Sequence, residues 1–286
     1  PHDKANAEYE LALFKQWGWD AHIEQFDVLY PTPISTTLEL VTPQRETLGG
    51  QEPPIPEDPS TTPANLAKAL PPYVAYQGDG DVTAPVVYVD YGMPYDYDAL
   101  EQRGISVKGK IVLARYGAGW RGLKPKLAQE HGAVGCLIYS DPADDGYAEG
   151  DPYPKGGARP PQGVQRGSVV DMTMYPGDPL TPGVGAVPGA KRLTRETAPT
   201  ILKIPTLPIS YADAAKIMTG MQGPVVTGKA RGGLGVVYHW GGTDAVQVHL
   251  AVKSDWSLKP AYDVIAMLRG SAYPDQWVVR GNHRDG

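Results

Sequence analysis

Hydrophobic residues recur with two different periods near the start of the chain. Within residues 3–17 apolar side chains recur at helical spacing and Gly18 follows them, which predicts a helix that ends at the glycine. Residues 23–30 instead alternate between apolar and polar, as in a strand with one buried face. Residues 35–42 alternate in the same way. We expect them to form a hairpin with residues 23–30.

A second group of patterns alternates strands with helices. Continuous apolar runs, which are typical of strands buried on both faces, occupy the centres of 109–117 and 133–141. Between them, residues 122–132 have helical spacing and end in a glycine. A further strand is predicted over 85–92 and a short helix over 95–104. Strand, helix and strand in about 30 residues indicate a βαβ unit of an α/β fold.

The segments around this unit are irregular. Residues 49–63 are rich in proline and acid, too stiff for a helix and too polar for a core, which predicts a linker or a domain boundary. Residues 141–200 lose all periodicity, and such a long stretch inside a compact domain is usually functional or packed against a partner. Regular patterns then return, and they predict a helix over 209–221 and strands over 235–240, 245–253, 261–270 and 276–283.

Composition excludes several classes of function. The net charge of -6 is spread over 286 residues without a run of Lys or Arg, so no nucleic-acid groove is expected. Cys136 is the only cysteine, which excludes an intrachain disulfide and a cysteine zinc cluster. It lies in an apolar run and is predicted to be a small core residue. No stretch approaches the ~18 apolar residues of a membrane span.

The last residues combine a histidine with a carboxylate. If 278–286 is a strand, His283 and Asp285 share one face and Arg284 takes the other. A carboxylate in this position can orient a metal-binding imidazole, but a catalytic zinc needs about three protein ligands. From the residues alone, the pair is either a surface hydrogen bond or part of a site completed beyond Gly286.

The other histidines have simpler interpretations. His239 and His249 lie in predicted strands and His22 begins one, so we expect packed or hydrogen-bonded side chains rather than metal ligands. His131 ends a predicted helix, where a partial positive charge suits the helix dipole.

Several long motifs carry a family resemblance. "PQGVQRG" at 161–167, "GDPLTPG" at 177–183 and "IPTLPISYADAAKIM" at 204–218 resemble, together with the run through 109–146, the protease-associated (apical) domain of the glutamate carboxypeptidase II and transferrin receptor family. The opening "YELALFKQWGWDAHIEQFDVLYPTP" resembles the family's N-terminal helix and hairpin. The final "YDVIAMLRGSAYPDQWVVRGNHRDG" resembles the start of its zinc peptidase domain.

The resemblance implies an architecture. A β-rich protease-associated domain, residues 49–257, would be inserted into the start of a zinc-exopeptidase α/β domain that is truncated here. Residues 1–48 would be the N-terminal part of that peptidase domain, and 258–286 its first strands.

The resemblance also assigns the metal site. His283 matches a ligand of the family's dinuclear zinc centre, and Asp285 matches the catalytic-site aspartate that orients it. The bridging aspartate, the other ligands and the glutamate general base come later in the family's chain. The resemblance therefore implies that the intact protein holds two zinc ions, and that this fragment alone neither holds them nor hydrolyses peptides.

Substrate recognition follows from two further matches. Arg121 matches the arginine that binds the α-carboxylate of the substrate's C-terminal residue; without the family it would be a solvated loop arginine. Ser168 stands where an asparagine touches the side chain of substrate glutamate, and because serine is shorter we expect a broader preference. Thr181 and Val184 match residues whose backbone carbonyls help to hold a structural calcium.

These matches predict a carboxypeptidase or dipeptidase acting on free C-terminal carboxylates. Its partners would be the peptide substrate, the missing C-terminal catalytic part and a second copy in a homodimer, in an extracellular or periplasmic setting. Two alternatives stay open: an aminopeptidase of the same family, and a non-catalytic binding module in the manner of the transferrin receptor. The intact His-x-Asp pair favours the enzyme over the module.

Overall fold

The computed structural model describes residues 3–284. They form two compact units, and the chain passes between them more than once. The smaller unit contains 3–30, 177–198 and 257–284, and the larger contains Pro31–Pro176 and Pro199–Trp256.

Within residues 3–284 the two units contain five α-helices and eleven strands. The helices are α1 (Asp3–Gln16), α2 (Pro63–Leu66), α3 (Pro94–Glu101), α4 (Leu123–Glu130) and α5 (Tyr211–Thr219) within the described residues. The strands of the same part of the chain are β1 (Asp20–Leu29), β2 (Thr32–Thr42), β3 (Glu46–Leu48), β4 (Val74–Ala75), β5 (Gly80–Tyr88), β6 (Ile111–Arg115), β7 (Gly135–Tyr139), β8 (Gly167–Ser168), β9 (Thr206–Ile209), β10 (Gln247–Asp255) and β11 (Leu258–Met267).

The smaller unit packs α1 against a two-stranded antiparallel sheet of β1 and β11. The predicted first helix is confirmed, and Gly18 ends it with a φ of +82°, a conformation that glycine adopts without strain. The sheet register runs from Asp20 opposite Met267 to Leu29 opposite Leu258.

The predicted hairpin of 23–30 with 35–42 is wrong. β1 pairs with β11, and β2 pairs with β10 and β3 in the other unit. Alternation determines which face of a strand is buried, but it does not specify which strand lies beside it.

The larger unit is built on a seven-stranded mixed sheet in the order β3-β2-β10-β5-β6-β7-β9. Strands β5, β6, β7 and β9 run parallel, and β2, β3 and β10 add an antiparallel edge in which Thr32 lies opposite Asp255. Both β6 and β7 are buried along their whole length, as their continuous apolar runs predict. Residues that form the core include Val86, Val87, Ile111, Val112, Leu113, Leu137, Ile138, Val248 and Leu250.

Most of the predicted elements of this unit are confirmed. The helices α3, α4 and α5 lie where their spacing predicts, and α5 begins at the predicted cap, Ser210, whose hydroxyl accepts the amide N–H of Asp213. Residues 141–200 contain only the two-residue strand β8 within the described chain. The long irregular stretch is thus confirmed.

Two predicted strands are wrong. Residues 235–240 make a single isolated bridge among the described residues, from His239 to Val225, and 276–283 have no regular structure. Val278 and Val279 are 92% and 81% exposed rather than buried. An apolar run becomes a strand only where it joins a sheet, and none of the sheets within residues 3–284 includes a strand from 276–283. His283 therefore does not lie in a strand, and Asp285, the other residue of the predicted pair, lies outside the described residues.

The compact units divide the chain differently from the expected domain limits at 48/49 and 257/258. Residues 31–48 belong to the larger unit because β2 pairs with β10 along its length. Residues 177–198 belong to the smaller unit, and the backbone N–H of Asp27 in β1 donates to the carbonyl of Ala186.

The predicted burial of Cys136 and the predicted hydrogen bonding of His239 and His249 are confirmed. Cys136 is fully buried in β7. His249 bonds to Asp81 through Nε2 at 2.8 Å, and His239 bonds through Nδ1 to the carbonyl of Gly223 at 2.7 Å. None of the helices within 3–284 has the length and apolar character needed to cross a membrane.

Candidate functional site

Arg121 lies on the loop that follows β6, at the carboxyl end of the parallel strands. Ligands of open α/β sheets bind preferentially at this edge. The side chain is half-buried, and its Nη1 donates to the backbone carbonyl of Arg166 at 3.0 Å. Its guanidinium lies 5.1 Å from the ring of Trp120, whose indole N–H donates to the carbonyl of Val170 at 3.1 Å. Nε and Nη2 of Arg121 have no hydrogen-bond partner among residues 3–284.

Arg121 can occupy this position because Gly167 has no side chain. The guanidinium lies so close to the Gly167 backbone that a Cβ there would overlap Nη1 of Arg121. Gly167 also has a φ of +153°, which side chains rarely allow. The next residue is Ser168, half-buried in β8, with its Oγ accepting the N–H of Val170 at 3.2 Å. The structure thus brings Arg121 and Ser168 to the same loop cluster.

A buried polar network holds the loop that carries Arg121. The ammonium of Lys124, a fully buried side chain, donates to the carbonyls of Tyr91 at 2.7 Å and Gly117 at 2.8 Å. Burial lowers the pKa of Lys124 to about 8. Arg115 at the end of β6 is 3% exposed and donates through Nε to Asp90 at 2.6 Å. These contacts fix both ends of the turn between β6 and α4.

Glu52 and Arg166 form a bidentate ion pair next to Arg121. Nη1 and Nη2 of Arg166 lie 2.7 and 2.8 Å from the two carboxylate oxygens of Glu52. Partial burial acts to raise the pKa of Glu52, but hydrogen bonds from Arg166 and its positive charge outweigh burial and hold this pKa below its ordinary value. Sequence reasoning missed this pair. The two residues are 114 positions apart and no local pattern connects them.

Thr181 and Val184 lie in the smaller unit. The Thr181 carbonyl accepts the N–H of Val184 at 3.2 Å within a turn. The neighbouring carboxylate of Asp178 accepts the Thr181 hydroxyl at 2.9 Å and the N–H of Leu29 at 2.7 Å, and it also pairs with Arg192. Calcium bound by the carbonyls of Thr181 and Val184 stays a prediction of the resemblance.

His283 is an exposed residue of the segment that follows β11. Its neighbour Arg284 bonds to Asp3 at 2.9 Å and to Glu10 at 3.2 Å, in the same unit. No group of three or more His, Cys, Asp or Glu within residues 3–284 could hold a metal ion. The donor set of the described residues therefore does not fit a zinc centre by itself.

Comparison with known proteins identifies the larger unit first. The PA domain family matches residues 82–171, a range that contains Arg121, Arg166, Gly167 and Ser168. The probable glutamate carboxypeptidase of Arthroderma benhamiae is 35% identical over 295 residues, covering 99% of this chain and 40% of that protein. The probable glutamate carboxypeptidase VP8 of Zea mays is 31% identical over 288 residues, covering 100% of this chain and 37% of that protein. Over nearly its whole length the chain is thus similar to proteins named as probable glutamate carboxypeptidases.

Two further proteins, both named as aminopeptidases, are similar to this chain. Aminopeptidase NAALADL1 of Rattus norvegicus is 37% identical over 227 residues, covering 76% of this chain and 30% of that protein. An aminopeptidase from Aneurinibacillus sp. strain AM-1 superposes with a TM-score of 0.46 at 17% identity, covering 95% of this chain and 44% of that chain. The chain spans 40% or less of the length of each of the three curated relatives.

Proposed function

We propose that this chain is the N-terminal portion of a zinc-dependent exopeptidase that hydrolyses peptides or dipeptides with a free C-terminal carboxylate. The similarity to glutamate carboxypeptidases over 99% of the chain supports the reaction class. The remaining zinc ligands and the general base come from the rest of the protein, so this portion alone is inactive.

The hydrogen bonding of the Arg121 guanidinium is the observation that supports substrates with a free C-terminal carboxylate. One guanidinium nitrogen is anchored on the protein, and two others have no partner in the described chain. A guanidinium anchored in this way presents a planar fork that matches both oxygens of a carboxylate. A terminal carboxylate carries the charge that an internal peptide group lacks. Arg121 can therefore distinguish a chain end from the middle of a peptide.

Ser168 supports a broader side-chain preference than glutamate alone. Its oxygen already accepts the N–H of Val170, which leaves its O–H as the donor for a ligand. A single short donor places fewer demands on the substrate than the two-donor amide of asparagine. We expect substrates with polar and uncharged C-terminal residues to be accepted beside glutamate.

The substitution Arg121→Ala in the full-length protein tests the proposal. A hydrogen bond to a charged group contributes about 1.5–3 kcal/mol, so kcat/KM for a peptide with a free C-terminus should fall roughly 10–100-fold. The same peptide with an amidated C-terminus should be a poor substrate of both proteins and equally poor in each. Arg45→Ala is the control, since Arg45 is an exposed arginine at the antiparallel edge of the same unit.

An aminopeptidase is the second candidate, favoured by the 37% identity to a relative of that name. In that case the amidated peptide would be cleaved as fast as the free one, Arg121→Ala would change neither rate, and acetylation of the substrate's N-terminus would abolish cleavage.

A further inference from the structure

We propose that Glu52 is a positioning residue for carboxylate recognition, acting through Arg166 on Arg121. The inference rests on the proposed function, because it concerns how the substrate-binding arginine is aimed.

The contacts form a continuous chain from Glu52 to Arg121. The Glu52 carboxylate holds the guanidinium of Arg166 in a bidentate pair at 2.7 and 2.8 Å. The backbone carbonyl of the same Arg166 accepts Nη1 of Arg121 at 3.0 Å. The side chain and the carbonyl of Arg166 are attached to the same Cα. Fixing the side chain therefore limits the directions in which the carbonyl can point.

The Glu52 carboxylate contacts the segment 164–167 at two residues rather than one. Oε1 of Glu52 also accepts the backbone N–H of Val164 at 3.2 Å, two residues before Arg166. Arg166 in turn donates from Nε and Nη2 to the carbonyl of Leu70, at 3.2 and 2.9 Å, and from Nε to that of Pro71 at 3.2 Å. The pair is only partly exposed, with 29% of the Arg166 side chain and 22% of the Glu52 side chain accessible. Solvent therefore screens it less than a fully exposed pair.

The position of the Arg121 guanidinium depends on the backbone of residues 164–167. The guanidinium lies against Gly167 with no room for a Cβ, so a shift of the 164–167 backbone moves the arginine or breaks its hydrogen bond. A displacement of about 1 Å at a substrate-positioning group can cost as much as 10²-fold in rate. The proline-rich segment that carries Glu52 is thus more than a linker, because it sets the geometry of a binding residue.

A purely structural tie between 49–63 and the rest of the unit would leave the same contacts. The two roles differ in one measurable respect. A positioning residue loses its effect once the residue that it positions is gone, whereas a structural tie does not.

The experiment compares four full-length proteins: the wild type, Glu52→Gln, Arg121→Ala and the double variant. Glutamine keeps the size and one acceptor oxygen but removes the charge. We expect Glu52→Gln to raise KM for the free-terminus peptide about 10-fold with kcat within about twofold, and to leave the amidated peptide unaffected. In the Arg121→Ala background, Glu52→Gln should produce no further change.

Glu46→Gln is the matched control. Glu46 lies in β3 of the same unit and pairs with Lys216 at 2.8 Å, so it tests the loss of a carboxylate from an ion pair away from Arg121. We expect its KM to equal that of the wild type. Thermal unfolding of each variant checks that the fold is retained, and if Glu52→Gln does not fold, Glu52→Asp is used in the same cycle because it keeps the charge and shortens the reach.

The outcomes separate the two proposals. Equal effects of Glu52→Gln with and without Arg121 would overturn the positioning role, as would an unchanged KM in the single variant. If Arg121→Ala itself leaves the preference for a free C-terminus intact, the proposed function fails first, and the Glu52 result is then no longer about carboxylate recognition.

Discussion

The carboxylate of Asp141 accepts four hydrogen bonds within the larger unit, and its replacement tests how much they stabilise the fold. The side chain is fully buried at the end of β7. Oδ1 accepts the backbone N–H groups of Ala143 at 2.9 Å and Gly233 at 2.6 Å. Oδ2 accepts the hydroxyls of Tyr139 at 2.8 Å and Tyr238 at 2.6 Å. One carboxylate thus joins the end of β7 to the segment around residue 233.

The substitution Asp141→Asn keeps the shape and removes the charge. A hydrogen bond to a charged group is worth about 1.5–3 kcal/mol, against roughly 0.5–1.5 for a neutral pair. With four bonds weakened, the upper limit is about 4–6 kcal/mol. The tyrosine hydroxyls can rotate to accept from the new amide, so we expect a loss of about 2–4 kcal/mol. That is a large part of the roughly 5–15 kcal/mol that stabilises a domain.

Two measurements on the full-length protein check this prediction. Urea unfolding should show the loss directly, and hydrogen exchange at the amides of Ala143 and Gly233 should accelerate. Asp81→Asn is the control, because the Asp81 side chain is 77% exposed and should cost less than about 0.5 kcal/mol. If Asp141→Asn unfolds within about 1 kcal/mol of the wild type and neither amide exchanges faster, the four hydrogen bonds do not carry the stability assigned to them.

Two other predictions concern pH and metal. Burial raises the pKa of Asp96 to about 6, although the carboxylate accepts the N–H of Met93 at 2.9 Å. The folded protein therefore binds this proton more tightly than the unfolded chain, so the contribution to stability is fully present below about pH 4 and is lost as pH rises through 6. At about 1.4 kcal/mol per pKa unit its upper limit is roughly 3 kcal/mol, which solvent screening reduces, and unfolding of Asp96→Asn measured from pH 4 to 7 should lack this pH dependence. His283→Ala in the full-length protein should abolish peptidase activity and lower the zinc content by metal analysis, and a fully active variant with unchanged zinc would favour the non-catalytic module.

The elements that local pattern determines were predictable, and those that depend on a distant partner were not. The first helix, the βαβ unit and α5 follow from periodicity and caps, which act within a few residues. The pairing of β1 with β11 and the absence of a strand at 276–283 depend on which backbone lies alongside, and the sequence of the strand itself does not encode that.

The residues of the candidate site could also be predicted only in part. Arg121 and Ser168 were predicted only because the surrounding motifs resemble a known family. Composition and spacing alone would have left Arg121 as a surface arginine. Glu52 was assigned to a linker because its segment is polar and rich in proline. Its function depends on a contact with Arg166 that spans more than a third of the chain, and such contacts leave no periodic signal.

The first and the last of the places where the chain passes between the units, after Tyr30 and after Trp256, have a consequence for the order of folding. Within the smaller unit Leu29 lies opposite Leu258, and within the larger unit Thr32 lies opposite Asp255. If β1 and β11 met first, they would have to close a loop containing the whole inserted sequence. Once β2 and β10 have paired, the remaining closure is that of a short turn. The difference is about six doublings of loop length, or roughly 3–4 kcal/mol of chain entropy. We therefore expect β2 and β10 to pair before β1 and β11 do.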